Sequence, residues 1–273
     1  KVLKKDSGGS VANTIVGISL LGLPSSFCGK VKDDSLGNFF VNDMEATNTK
    51  FLCQKAKQGL PTARCLVLVT NDGERTMQTF LGASTTLDER DIAEEFFLDV
   101  KFLLIEGYLW SSETAREAIK KAIEISRKRK IKVIFSLSDS NLVRMFKEDF
   151  KNLINNEIDI LIGNENEFYE AFDTNDEKQI QNSIDDKVEF SVMTQGRRGA
   201  TIIMKNAVEK VYAEDNKNVV DTTGAGDMFA AGFIFKIING SNVIDAASFG
   251  CKTASRIISN YGARPDRDTF KDL

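Results

Sequence analysis

Apolar residues recur along this chain in two registers. Short unbroken runs at Phe102 to Glu106 (FLLIE), Lys132 to Ser136 (KVIFS), Ile158 to Ile162 (IDILI) and Phe190 to Thr194 (FSVMT) read as strands covered on both faces. Between them the spacing becomes helical. Ala115, Ala118, Ile119, Ala122, Ile123 and Ile125 line one face of a helix that Ser111 or Ser112 caps and that runs to about Arg129. A second helix is expected over Leu142 to Ile154, and a third opens at Asn164. Strand and helix in alternation, with apolar strands, predict an α/β fold with a mostly parallel sheet and helices on both faces. Ligands of such sheets bind beyond the carboxyl ends of the strands.

One stretch departs from this pattern. Thr62 to Thr70 and Arg75 to Phe80 flank Asn71-Asp72-Gly73-Glu74. Asp-Gly between two strand-like runs predicts a hairpin, and a hairpin inside an α/β chain suggests a small appended sheet acting as a lid. Neither an internal repeat nor a linker is visible, so all 273 residues read as one domain.

Composition narrows the chemistry. The sequence has no histidine, which excludes Ser-His-Asp and Cys-His nucleophiles and every His-ligated metal. Acid–base work then falls to Asp, Glu, Lys, Tyr or Cys, and any metal should be a hard cation held by oxygen. A net charge of −4 gives no bulk field for nucleic acid or anionic lipid. The basic run Arg127 to Lys130 falls at a helix end, where it complements the dipole. No apolar run is long enough to span a bilayer. Cys28, Cys53, Cys65 and Cys251 form no C-x-x-C pair, fit a reduced cytoplasmic setting, and read as small buried hydrophobes.

The densest motif is Asp221-Thr222-Thr223-Gly224-Ala225-Gly226-Asp227, followed by a small-residue helix from Met228. A glycine-rich turn opening into a helix N-terminus is an anion site, because free N–H groups and the positive dipole end face one point. Asp227 in the first turn has two readings. It helps the dipole, or it takes a proton from a substrate alcohol while the N–H groups hold a moving phosphoryl group. Phe229 stands where G-x-G-x-x-G needs a glycine, and no G-x-x-x-x-G-K-[ST] occurs. Gly8-Gly9 opens another helix and is either a tight turn or a site. Asn164 is an N-cap with Glu167 completing a capping box, or part of a ligand site at a strand's carboxyl end. Thr194 to Ala200 reads as a hairpin turn. Ser138-Asp139 follows a strand end, and Tyr108 and Trp110 line either a pocket or the core.

Asp221 to Gly232 resembles the second signature of the PfkB, or ribokinase-like, family of carbohydrate and nucleoside kinases, with its D-T-x-G-A-G-D core intact. The resemblance runs from Gly8 to about Pro265 and implies a ribokinase-like three-layer α/β/α fold with a small β lid. It implies ATP-dependent phosphorylation of a primary alcohol on a sugar or nucleoside, with Asp227 as base. The backbone of Gly224, Ala225 and Gly226 would form the anion hole. Gly8, Gly9 and Asn13 resemble the first signature and would contact the acceptor's hydroxyls. Asn164 and Glu167 resemble the N-x-x-E motif that positions Mg²⁺ through water. Thr194, Gly196 and Gly199 resemble the T-x-G-x-x-G nucleotide loop, and with Thr223 would lie against ATP. A monovalent cation near the second signature and a homodimer through lid strands are features of relatives.

The stretches SGGSVANT, PTARCLVLVTNDGERTM, EGYLW, SLSDS and NYGARP look like the bacterial adenosine-kinase-like branch, so adenosine is the expected acceptor. Ribose, fructose or a keto-deoxy sugar acid is the alternative. The family's N-terminal strand, with an aspartate that binds the acceptor, is expected to lie outside this sequence. Lid elements are expected around 1–7 and 60–82. A non-catalytic sugar or nucleoside sensor on the same fold would be expected to lose the base or the anion hole, and both are present here.

Overall fold

A computed structural model describes residues 5–69, 75–184, 186–214, 216 and 218–273. The chain opens with helix α1 (Ser10–Leu20), strand β1 (Ser25–Phe27), helix α2 (Ser35–Ala46) and strand β2 (Thr49–Phe51). Strands β3 (Arg64–Val69) and β4 (Arg75–Phe80) follow. The alternating part comprises β5 (Phe102–Glu106), α3 (Glu113–Arg129), β6 (Lys132–Ser136), α4 (Ser140–Met145), α5 (Lys147–Asn156), β7 (Ile160–Asn164), α6 (Glu165–Phe172), α7 (Glu177–Ile184) and β8 (Phe190–Thr194). Strands β9 (Ala200–Met204) and β10 (Ala207–Val211) and helices α8 (Ala225–Ile238) and α9 (Val243–Ile257) complete it.

The main sheet has the order β10-β9-β8-β7-β6-β5. Strands β5 to β8 are parallel, and β9 and β10 are antiparallel additions. Its central strands lack polar alternation because their buried side chains meet helices on one face or the other. Val133, Phe135, Leu161 and Met193 join Ile119, Phe150, Phe168 and Ile180 in one core. Ile134, Ile160, Ile162 and Val192 join Ile18, Phe229, Phe233 and Ala247 in the other. Helices α3 to α7 therefore cover one face, and α1, α8 and α9 the other.

The expected strands at Phe102–Glu106, Lys132–Ser136 and Phe190–Thr194 are observed at those limits. The expected strand at Ile158 to Ile162 is instead β7, Ile160–Asn164. Asp159 stands outside it, where its carboxylate accepts from the Val133 N–H at 2.7 Å and pairs with Arg127 at 3.0 Å. The expected helix from Leu142 to Ile154 is two helices. It begins earlier, because the Asp139 carboxylate caps the N–H groups of Asn141 and Leu142. It breaks at Phe146, whose φ of −117° and ψ of 30° leave the helical region. No glycine or proline marks that break in the sequence. Ser112 caps α3 as expected, and Lys130 closes it in the left-handed conformation beside the basic last turn.

Strands β3 and β4 pair antiparallel from Arg64↔Phe80 to Val69↔Arg75. The turn Asn71 to Glu74 lies outside the described residues, as do residues 1–4 of the expected lid. Leu66, Val67, Leu68 and Met77 on this hairpin are exposed. The cysteines depart from a uniform buried set. Cys53 and Cys251 are buried, Cys28 is half-buried, and Cys65 is exposed on β3, as are its neighbours Leu66, Val67 and Leu68. Cys28 and Cys53 follow the paired strands β1 and β2 and lie with their sulfurs 2.7 Å apart. No described helix is long and apolar enough to cross a membrane.

Candidate active site

The parallel strands end on a common edge. Glu106 closes β5, Ser136 closes β6, and Asn164 of β7 pairs with Thr194 of β8. Helices α1 and α8 bring their N-termini to this edge. Gly9 is the N-cap of α1 with φ 109°, and Gly224 is the N-cap of α8 with φ 81°, backbone that side-chain-bearing residues rarely adopt. Gly224 also has no room for a side chain, since a Cβ would sit 2.7 Å from Ala263. Around Gly226 and Gly8 the reverse holds. A Cβ there would meet nothing within 4 Å, so the space over both turns is open.

Asp227 stands in the first turn of α8, clamped by α1. Ser10 Oγ donates to Asp227 Oδ1 at 2.8 Å, and Asn13 Nδ2 donates to Asp227 Oδ2 at 2.8 Å. Thr14 Oγ1 donates to the Asp227 carbonyl at 3.2 Å. Desolvation raises the Asp227 carboxyl above the usual aspartate range, while the Asn13 amide, the Ser10 hydroxyl and the Arg264 guanidinium oppose the rise. Asn13 is 3% exposed, and its Oδ1 is a buried acceptor with no hydrogen-bond donor among the described residues. A buried acceptor of this kind is costly unless something donates to it. A hydroxyl that donated to Asn13 Oδ1 would stand beside Asp227.

A second carboxylate lies close by. Glu106 Oε2 accepts from the Val11 N–H at 3.0 Å, capping the first turn of α1 from the end of β5. Burial pushes its carboxyl up to about 7, and the charge of Asp227 adds to the rise. Tyr108, pushed up to about 12 by desolvation, feels Asp139, Glu167, Glu106 and Asp227 together. Four carboxylates thus converge on one end of the sheet. Trp110 belongs to the core instead, stacked edge-on against Phe150 with its N–H on Asp149.

Asn164 and Glu167 form the capping box that the sequence allowed. Glu167 donates its N–H to Asn164 Oδ1 at 3.0 Å and accepts from the Asn164 N–H at 2.9 Å and Asn164 Nδ2 at 2.6 Å. A Cβ on Gly163 would press 2.9 Å from Glu167 Oε2, so glycine makes room for this carboxylate. Burial raises Glu167 to about 7, and repulsion from Asp139 adds to it. With both oxygens engaged, Glu167 suits a hydrated cation held through water better than a direct ligand bond. Among the described residues no group of three or more acidic or cysteine side chains is close enough to hold a metal directly. The donor chemistry fits Mg²⁺ that keeps its waters.

In the loop between β8 and β9, Thr194 Oγ1 donates to the Gly163 carbonyl at 3.3 Å, joining it to the capping-box corner. Gly196, with φ 59°, faces open space. Gly199, with φ 97°, is glycine because a Cβ would strike the Val211 carbonyl. Thr223 is tied to Asp221, whose Oδ1 accepts from its N–H at 2.9 Å and its hydroxyl at 2.7 Å. Ala225 N–H turns to the Thr222 carbonyl at 3.3 Å. Ser138 accepts from the Gly107 N–H at 2.9 Å and so ties the ends of β5 and β6.

The sequence matches the pattern described as pfkB family carbohydrate kinase over residues 1–269. The chain belongs to the PfkB family of carbohydrate kinases. It is an ATP-dependent kinase, and its layered α/β/α architecture is ribokinase-like. The adenosine kinase from Sinorhizobium meliloti is similar in structure, with a TM-score of 0.91 and 33% identity over 95% of this chain and 80% of that one. A probable sugar kinase from Rhizobium etli is similar at a TM-score of 0.89 and 34% identity, over 94% and 78% of the two chains. The 5-dehydro-2-deoxygluconokinase of Geobacillus thermodenitrificans is 29% identical over 97% of this chain and 82% of its own length.

Sequence reasoning passed over Ser10, Glu106 and Arg264. Ser10 lay inside the Gly8 to Thr14 motif. Glu106 carried a signal, being the charged last residue of an apolar strand on the ligand edge. Arg264 lay inside NYGARP, a stretch that pointed to a branch of the family and gave the arginine no role of its own.

Proposed function

We propose that this kinase transfers the γ-phosphoryl group of ATP to a primary hydroxyl of a polyhydroxylated acceptor, with Asp227 as the base. The single observation that carries the reading is the Asp227 carboxylate held by Ser10 and Asn13 beside the unpartnered Asn13 Oδ1. The acceptor hydroxyl donates toward Asp227, and a neighbouring hydroxyl donates to Asn13 Oδ1. Attack on the phosphorus runs in line, and because such transition states are loose, Asp227 receives the proton late. The N–H groups of Gly224 and Gly226 would face the phosphoryl oxygens, where the open space around Gly226 admits them, while the Ala225 N–H, expected to join them, is turned to the Thr222 carbonyl. Thr194, Gly196, Gly199 and Thr223 line the path of the nucleotide. Mg²⁺, when bound, supplies charge neutralisation at the phosphates, and Glu167 with Asn164 would hold it through water.

The acceptor class favoured is a sugar or a keto-deoxy sugar acid, supported by the family match and by relatives named 5-dehydro-2-deoxygluconokinase. Adenosine is the second reading, supported by 33% identity to the Sinorhizobium adenosine kinase. The hairpin of β3 and β4 acts as a lid within a single 1–273 domain, and its exposed apolar residues suit pairing with a second copy. A monovalent cation beside Asp221 to Asp227 is a further part of the proposal, as is a cytoplasmic setting. A coupled ADP-release assay with ATP and Mg²⁺ tests the assignment against ribose, fructose, 5-dehydro-2-deoxygluconate, 2-keto-3-deoxygluconate and adenosine. Turnover with a sugar or sugar acid supports the first reading, and turnover with adenosine alone supports the second. ATP binding without turnover on any acceptor would instead favour a sensor.

A further inference from the structure

Arg264 is a buried cation behind the site. Its side chain is 5% exposed, and it follows Ala263, the residue that packs against Gly224 at the start of α8. Arg264 Nη1 donates to the Ala12 carbonyl at 2.9 Å, within the first turn of α1. Nε stands 3.3 Å from Asp43 Oδ2 of α2, and the guanidinium lies 5.9 Å from the centre of the Phe40 ring. Two consecutive residues therefore press on the two helices that make the site, one at the N-cap of α8 and the next at the N-terminal turn of α1. Ala12 is the immediate neighbour of Asn13, whose amide holds Asp227.

The guanidinium is poorly satisfied for a group buried this deeply. Among the described residues Nε and Nη2 have no hydrogen-bond acceptor in good geometry, and neither has Asp43 Oδ2 a donor. A buried charge left so is weak as a device for stability. Its place between α1 and the start of α8 gives it another use. We propose that Arg264 is a positioning residue for Asp227: it fixes the first turn of α1 against the C-terminal segment, so that Ser10 and Asn13 stay on the carboxylate, and it supplies the positive charge behind that carboxylate. The inference rests on the reading of Asp227 as base.

The groups around Asp227 fix the sign of the effect. Helix α1 presents only the neutral donors Ser10, Asn13 and Thr14, β5 presents Glu106, and Tyr108 follows it. Helix α9 packs on α8, and its Lys252 turns away to pair with Glu214. Among the described residues Arg264 is the cation on this side, and Asp43 and Asp6 act on it in turn. Removing its charge should raise the Asp227 carboxyl and move the acid limb of kcat/KM to higher pH.

ADP release would be followed from pH 5 to 9 for the full chain and for Arg264→Met, Arg264→Lys and Asp43→Asn, using the acceptor of the panel that turns over. Arg264→Met should lower kcat at least about tenfold and move the acid limb up by about half a unit to one unit. Arg264→Lys should keep the limb near the wild-type position and recover part of kcat, because it keeps the charge and loses the fork. Asp43→Asn should move the limb the other way. A folded Arg264→Met protein with the wild-type limb overturns the proposal, whatever its turnover. If Arg264→Met does not fold, an Asp43→Asn limb that stays put or moves up does the same. Asp227→Asn separates the two readings. Near-full activity in that variant removes the base assignment itself, while an inactive variant with an unmoved limb in Arg264→Met removes only the role of Arg264.

Discussion

Replacing Glu106 by glutamine tests the electrostatics of the site without touching its proposed base. Glu106 caps α1 through the Val11 N–H, and glutamine keeps a carbonyl oxygen for that bond. Burial lifts the folded carboxyl from 4.5 to about 7. A raised carboxyl means that the folded protein keeps a proton that the unfolded chain has already lost. The contribution of Glu106 to stability is therefore fully present below pH 4.5, falls as pH climbs toward 7, and is level above that. At about 1.4 kcal/mol per pH unit the ceiling is roughly 3.5 kcal/mol, and partial access to solvent reduces the expectation to about 1–2 kcal/mol. Glu167 contributes a slope of the same sign, so the wild-type protein should lose stability between pH 5 and 8. The chain has no histidine to titrate in that window and obscure the effect. Thermal or urea unfolding at both pH values should show Glu106→Gln gaining about 1–2 kcal/mol on the wild type as pH rises, or roughly 2–6 °C in Tm. A stability difference that stays constant from pH 5 to 8 would refute the reasoning.

Asn13→Ala removes both the amide on Asp227 and the unpartnered Oδ1; acceptor kcat/KM should fall by about 1–3 kcal/mol in transition-state terms, read from ADP release. Gly224→Ala and Gly226→Ala should behave differently. The first forces a Cβ against Ala263 at a φ of 81° and should cost about 1–3 kcal/mol of stability by urea unfolding. The second meets open space, so its unfolding curve should match the wild type while the KM for ATP rises several-fold. Chelating Mg²⁺ should abolish ADP release reversibly and leave the circular dichroism spectrum unchanged, since the described residues hold no direct metal cluster.

What could be read from the sequence was whatever depends on near neighbours along the chain. The runs FLLIE, KVIFS and FSVMT coincide with strands because burial on both faces removes polar alternation. The Asn164 and Glu167 capping box was legible because its partners are three residues apart. The turn before α8 was legible because only small residues permit it. Long-range pairings were not. Ser10 meets Asp227 across 217 positions, Glu106 meets Val11 across 95, and Arg264 meets Ala12 across 252. A side chain's role in such pairs is set by folding, and residue type alone does not announce it. The break at Phe146 was hidden for another reason. Val143 and Phe150 stay in one core on either side of it, so the apolar period continues through the kink.

The central claim is that Asp227 activates the acceptor hydroxyl. Its most direct test is ADP release by Asp227→Asn beside the wild-type protein, with ATP, Mg²⁺ and the acceptor that turns over. Asparagine can still meet Ser10 and Asn13 but cannot take the proton, so turnover should fall by about 10²–10⁴ while the unfolding midpoint holds or rises. Turnover within a few-fold of the wild type would contradict the claim.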